Sequence, residues 1–169
     1  MYDYFNTTSL LCEQQYGFRS KHSTELAAIK LVDNIIENLD NIKTVKTPVA
    51  IFLDLSKAFD TLNFEILLRK LQYYGVCGTA FKLLENYLKN RYQYVKHDNF
   101  KSEKLPIKTG IPQGSILGPL FFSIYINDII KTSKLFSFLM YADDTTIYFN
   151  LEDFLHIIEK SLLIMNWKK

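Results

Sequence analysis

The sequence predicts an α+β fold in which helices pack on one face of an antiparallel sheet. Three observations lead there. Short runs rich in β-branched and aromatic residues occur at positions 48–53, 136–140 and 145–149, and the last two flank only Tyr141-Ala142-Asp143-Asp144. Around these runs, apolar residues recur at helical spacing. The 169 residues are 48% hydrophobic and 15% aromatic, enough for a packed core and unlike a disordered chain.

In chain order, Ser23 or Thr24 can cap a first helix that runs to about residue 39, with Leu26, Ile29, Val32, Ile36 and Leu39 as its apolar stripe. A polar connection over residues 41–47 leads into the continuous apolar run 48–53. That run reads as a central strand buried on both faces, with Asp54 at its end. A helix follows from about residue 63 to 74 and stops at Gly75, and Asp60 is expected to cap it rather than to bind metal. Another helix spans about residues 79–90, and residues 91–97 and 104–109 pair as a hairpin. The Gly/Pro-rich loop 110–119 feeds a buried helix whose first turn suits Pro119. Runs 136–140 and 145–149 form a hairpin with acids at its tip. A last helix covers residues 153–167, with Phe154, Ile157, Ile158, Leu162 and Met165 on its apolar face.

Composition excludes several classes. A formal charge of +2, from 20 basic and 18 acidic residues, is too mild to imply nucleic-acid binding by itself. The basic residues do gather locally: Lys89, Arg91, Lys96, Lys101, Lys104 and Lys108 flank Tyr87, Tyr92 and Tyr94. Such a hairpin can follow a phosphate backbone, or it can simply be solvated. His22, His97 and His156 have no metal-ligand spacing, and neither a Ser-His-Asp nor a Cys-His arrangement can be argued. Cys12 and Cys77 form no CxxC or zinc pattern and suit a reducing compartment. The N-terminus lacks the basic start and apolar core of a signal peptide. The longest apolar region, residues 116–126, is interrupted by Gly118 and Pro119 and is too short for a bilayer, so no membrane association is expected.

The chemistry concentrates in three segments. Asp143 and Asp144 repel one another, so the pair calls for a compensating charge. Hard cations such as Mg²⁺ prefer oxygen ligands and sit between carboxylates and phosphates. The plain alternative is an ordinary polar turn. Asp54, at another strand end, adds a third carboxylate. Three carboxylates from two adjacent strands can hold two metal ions about 3.5–4 Å apart for phosphoryl transfer. In the 110–119 loop, glycine permits close approach to a ligand, and backbone amides at the following helix start favour anions. An ordinary loop before a buried helix accounts for the same residues.

Taken in order, these segments resemble the palm of a reverse transcriptase. Phe52-Leu53-Asp54-Leu55-Ser56-Lys57-Ala58-Phe59-Asp60 looks like the first palm motif, Gly110 to Pro119 like the second, and Tyr141 to Asp144 like the third. Upstream, Gln15-Tyr16-Gly17-Phe18-Arg19-Ser20-Lys21-His22-Ser23-Thr24 resembles the fingers segment of non-LTR retrotransposons of the jockey type. The resemblance implies a polymerase palm-type sheet plus part of the fingers. Residues 1–47 would be partial fingers and 48–169 palm, a portion ending before the later palm motifs and thumb.

Site roles follow from that resemblance. Asp54, Asp143 and Asp144 would be the catalytic, metal-binding carboxylates, with the Leu55 carbonyl a further ligand to two Mg²⁺ ions, for which Mn²⁺ can substitute. Phe59 would sense the sugar, Gln113 and Gly114 would line the incoming nucleotide, and Arg19 and Lys21 would order the fingers near template or triphosphate. Tyr141 and Ala142 would lie at the primer and template. The implied partners are an RNA template, a DNA primer and deoxynucleoside triphosphates, with action inside the cell, in the nucleus. An RNA-making polymerase would share the carboxylates, but Phe59 argues against it. A decayed or domesticated palm that binds nucleic acid or a protein partner without catalysis is the other reading.

Overall fold

The computed structural model describes residues 1–39 and 46–166. In chain order the elements are α1 (Tyr2–Thr7), α2 (Thr24–Leu39), β1 (Pro48–Leu53), α3 (Phe64–Tyr73), α4 (Gly78–Lys89), β2 (Tyr92–Gln93), β3 (Lys96–His97), β4 (Phe100–Lys101), β5 (Leu105–Pro106), α5 (Gly118–Ile126), β6 (Ser137–Tyr141), β7 (Asp144–Asn150) and α6 (Leu151–Asn166). This is the α+β class expected from the sequence. Most of the polar connection expected over residues 41–47 lies outside the described residues, as do Trp167 and the side chains of Leu162 and Met165. No helix among the described residues is long and apolar enough to cross a membrane.

The chain forms two compact units. The first comprises Met1–Leu11 and Ser56–Asn127. Its centre is α5, which is apolar all round and therefore buried: Leu120, Phe121, Phe122 and Ile124 share one core with Phe5, Leu62, Leu67, Leu71 and Leu88. The α3 helix presents Phe64, Leu67, Leu68 and Leu71 to that core. Asn63 starts it, its side-chain oxygen accepting from the Glu65 and Ile66 amides at 2.9 and 3.2 Å. The expected Asp60 cap is thus corrected to Asn63. Asp60 lies too early to reach those amides, and its carboxylate instead accepts from Gln113 Nε2 at 3.3 Å. The expected hairpin forms through β2 with β5, and an inner ladder of β3 with β4 extends it.

The second unit comprises Cys12–Leu55 and Asp128–Lys169. Its antiparallel sheet has the order β1-β7-β6. The β1 strand is therefore at an edge, and its second half is open: Phe52 is 72% exposed. The sequence pattern implied burial on both faces, but a continuous apolar run records side-chain character and not what covers it. The α2 helix corrects a second expectation. Leu26, Ile29, Val32, Ile36 and Leu39 form the predicted stripe, yet all five are exposed. The helix turns Ala27, Leu31, Asn34, Ile35 and Asn38 inward instead. The reason is polar: Asn34 Nδ2 donates to the Tyr148 hydroxyl at 2.9 Å, and Asn150 Nδ2 donates to Asn38 Oδ1 at 3.0 Å. Asparagines turned inward need partners, and β7 supplies them. In α6, Phe154 packs on Phe149 and Phe136 while Ile157 and Ile158 are exposed, so only part of its expected face is covered.

Candidate active site

The hairpin between β6 and β7 closes in two residues, Ala142 and Asp143, with Tyr141 paired to Asp144 at its mouth. Ala142 has φ 56°, the left-handed backbone that a tight two-residue connection needs. A non-glycine residue held there is strained by roughly 1–2 kcal/mol, so its surroundings must hold it. They do so through residues 14–17. The Tyr16 amide donates to the Met140 carbonyl at 2.7 Å, and the Met140 amide donates to the Gln14 carbonyl at 2.8 Å. This short parallel bridge runs beside β6. Beyond it, Gln15 Oε1 accepts from the amides of Gly17 at 2.9 Å and Ala142 at 3.1 Å, and its Nε2 donates to the Ala142 carbonyl at 3.3 Å. Gly17 is what permits the approach, because a Cβ there would lie 2.2 Å from the Ala142 nitrogen.

The register brings the third acid to the same end of the sheet. Leu53 opposes Thr145, so the next residue, Asp54, comes level with Asp144. Neighbouring strands lie about 4.8 Å apart, which puts both side chains within reach of shared ligands. Asp54 and Asp144 are exposed and Asp143 is half-buried. None of the three is in an ion pair or side-chain hydrogen bond among the described residues, so their oxygens stay available. Among the described residues, no group of three or more His, Cys, Asp or Glu side chains is placed to hold a metal ion, so the structure sets the three acids at one sheet end without gathering them into a three-carboxylate site. Mg²⁺ is commonly held by one or two carboxylates plus substrate phosphates. Asp54 and Asp144, level on neighbouring strands, supply oxygen donors of the kind such an ion takes.

Other predicted residues have definite surroundings. Arg19 Nη1 donates to the Cys12 carbonyl at 2.7 Å, so its guanidinium is partly engaged in shaping its own loop, while Lys21 is exposed. In the first unit, Phe59 is partly buried and stacks on Phe122 with ring centroids 4.6 Å apart. Gln113 and Gly114 are exposed on the 110–119 loop. Gly110 ties that loop down: a Cβ on it would meet the Asp60 carbonyl oxygen at 2.6 Å. A cavity of about 560 Å³ in this unit is lined by Asp60, Arg91, Gln93, Lys108, Thr109 and Gln113. Arg91 Nη1 is buried and has no hydrogen-bond partner among the described residues. Lys89, by contrast, is committed to Glu65 at 2.8 Å and Glu85 at 3.0 Å, which draws it away from any phosphate role. The hairpin tip carrying Lys96 and Lys101 is exposed, with Lys101 Nζ 5.7 Å from the centre of the Tyr94 ring. Sequence reading did not single out Gln15. It opens the fingers-like segment but received no role there, and its partner lies 127 residues away.

An acid-tipped hairpin in an α+β fold, level with a third acid from the neighbouring strand, defines a polymerase palm-like unit. The reverse transcriptase (RNA-dependent DNA polymerase) family profile matches residues 2–167, and this chain belongs to that family. It is 32% identical over 133 residues to the probable RNA-directed DNA polymerase from transposon BS of Drosophila melanogaster, covering 75% of this chain and 14% of that protein. It is 29% identical over 149 residues to the RNA-directed DNA polymerase from mobile element jockey of the same organism, covering 84% of this chain and 16% of that protein. The chain thus spans about one-seventh of the length of these relatives. In fold it is similar to apo telomerase from Candida tropicalis truncated from its C-terminal domain, with TM-score 0.68 and 14% identity over 94% of this chain and 34% of that one. Members of the family generally use divalent metal ions.

Proposed function

We propose that this chain carries the catalytic palm of an RNA-directed DNA polymerase of a mobile element, extending a DNA primer on an RNA template with deoxynucleoside triphosphates. One observation carries the reading: the Ala142-Asp143 turn holds Asp143 and Asp144 at the sheet end where the register also delivers Asp54. In this reading Asp54, Asp143 and Asp144 hold two Mg²⁺ ions, with the Leu55 carbonyl as a further ligand. The bound ions would supply charge stabilisation for the attacking primer oxygen and the departing pyrophosphate.

The chain's own residues then position and select. Asp143 on the two-residue turn and Asp144 at the start of β7 would keep their charge where phosphate charge develops. Phe59, stacked on Phe122, would be the sugar-sensing ring that selects against a ribose 2′-hydroxyl. Gln113 and Gly114 line the nucleotide, Tyr141 and Ala142 meet the primer end, and Arg19 orders the fingers. Arg91 and Lys108 in the first unit's cavity supply cationic surface for a nucleic-acid backbone. Residues 1–47 are assigned to the fingers and 48–169 to the palm. Base pairing supplies sequence specificity, and the protein reads the duplex by shape and backbone.

The test is primer extension on an RNA template with Mg²⁺, comparing this chain with Asp143→Asn and Asp54→Asn. Each substitution removes a charged ligand and is expected to lower incorporation by at least roughly 10²-fold, with the circular dichroism spectrum unchanged. Incorporation within a few-fold of wild type in either variant would refute the site. A folded chain that binds template–primer yet never extends it would establish the non-catalytic palm instead.

A further inference from the structure

We propose that Gln15 is a positioning residue for the acidic turn, acting through the peptide groups of Ala142 rather than on substrate. The role assigned to Gln15 rests on the polymerase reading of that turn. Gln15 is 1% exposed. Its carboxamide orientation is fixed by its partners. Two N–H donors, from Gly17 and Ala142, face one side-chain atom, which must be the oxygen; the nitrogen then faces the Ala142 carbonyl. Gln15 thus grips both polar groups of one residue, as a neighbouring strand would.

That grip falls where β7 offers none. The β6–β7 ladder ends at Tyr141 and Asp144, leaving the turn peptides outside it. Ala142 sits there in a strained left-handed backbone and directly precedes Asp143. Gln14 and Tyr16 pair with Met140, so the Gln15 side chain extends the same edge pairing two residues further, to the turn itself. Gly17, packed against the Ala142 nitrogen, sets the distance. Loss of this grip releases the backbone that aims both acids. An aliphatic side chain of equal size fills the space but supplies neither donor nor acceptor.

The experiment uses the whole chain as wild type, Gln15→Met, Gln15→Glu and Asp143→Asn. Amide hydrogen exchange at Ala142 is the primary measurement, joined by Mn²⁺ titration and, where the chain extends primers, steady-state incorporation. Gln15→Met is expected to speed exchange at Ala142 roughly tenfold while amides in β1 and β7 keep their protection. Mn²⁺ binding should weaken roughly fivefold, and kcat should fall roughly tenfold with KM for the nucleotide within about twofold. Gln15→Glu keeps an acceptor but sets a second oxygen against the Ala142 carbonyl and buries a charge, so an effect in the same direction and at least as large is expected. It serves as the deciding variant if Gln15→Met does not fold. Unchanged exchange at Ala142 would overturn the proposal, as would faster exchange with unaltered Mn²⁺ affinity, since either leaves Gln15 a filler of space. Should wild type bind no Mn²⁺, exchange at Ala142 alone decides the grip. Should Asp143→Asn leave Mn²⁺ binding and incorporation intact, the polymerase reading of the turn fails, separately from the grip.

Discussion

Phe59 stacks on Phe122 within the first unit's core, while the polymerase reading gives its ring a second task of excluding a 2′-hydroxyl. The two tasks separate on substitution. Phe59→Val should admit ribonucleotides and also cost roughly 1–3 kcal/mol from the lost stack and the cavity beneath it. Incorporation of ribonucleotides against deoxynucleotides, measured beside thermal melting, checks both. Destabilisation with unchanged sugar selection would leave Phe59 a core residue alone. The acids were legible in the sequence because a two-residue turn between two strand-like runs is local chemistry. The role of Gln15 was not, because it depends on Ala142, far along the chain, and membership of the fingers-like segment says nothing of that contact. Asp60 misled for a related reason: an acid near a helix start looks like a cap, and only the amide positions reveal that Asn63 does the capping.

Helices α3 and α2 look alike in sequence and differ in the fold. Both carry an apolar stripe at helical spacing, and in α3 Leu67 and Leu71 are fully buried. In α2 the stripe faces out and Ile29 is 55% exposed, because Asn34 and Asn38 are tied to Tyr148 and Asn150. Periodicity fixes which residues share a face but not which face the sheet takes when a polar ladder competes. The expected consequence is an asymmetry. Leu67→Ala should cost roughly 2–5 kcal/mol, whereas Ile29→Lys should change the stability of this chain by no more than about 0.5 kcal/mol. Denaturant melts of the two variants decide it, and a large loss in Ile29→Lys would mean that the stripe is covered after all. The edge position of β1 escaped sequence reading in the same way, since strand order is a property of pairing and not of composition.

At the scale of the whole molecule, the chain visits its two units alternately, so neither is a contiguous stretch. Phe5 belongs to the core built by residues 56–127 although some fifty residues intervene, and it is fully buried. Phe5→Ala is therefore expected to cost roughly 3–5 kcal/mol, like a central core truncation and unlike a change near a frayed terminus; a thermal melt checks it. Acid response is shared across both units. In the first, Lys89 beside Glu65 holds that carboxyl below its ordinary value. In the second, Glu152 is lowered by accepting from the Thr47 amide at 2.9 Å and hydroxyl at 2.7 Å, and Glu25 by the Ser23 hydroxyl. Each contribution is present above the ordinary glutamate value of about 4.3 and is lost as pH falls through the lowered folded value. Lys89 runs the other way: its raised value, caused by Glu65 and then Glu85, gives a contribution kept below the ordinary lysine value and lost only as pH rises beyond it. Stability from these groups is thus flat from about pH 5 to about pH 10 and declines outside that window. Because all four are solvent-exposed, added salt should weaken the Glu65–Lys89 part. The Glu152 hydrogen bonds to Thr47 are short-range and should be little screened. Glu152→Gln should accordingly reduce the loss of melting temperature below pH 4 at both low and high salt, and Glu65→Gln mainly at low salt. Equal salt sensitivity in the two variants would show that the Thr47 contact is an ordinary surface charge effect.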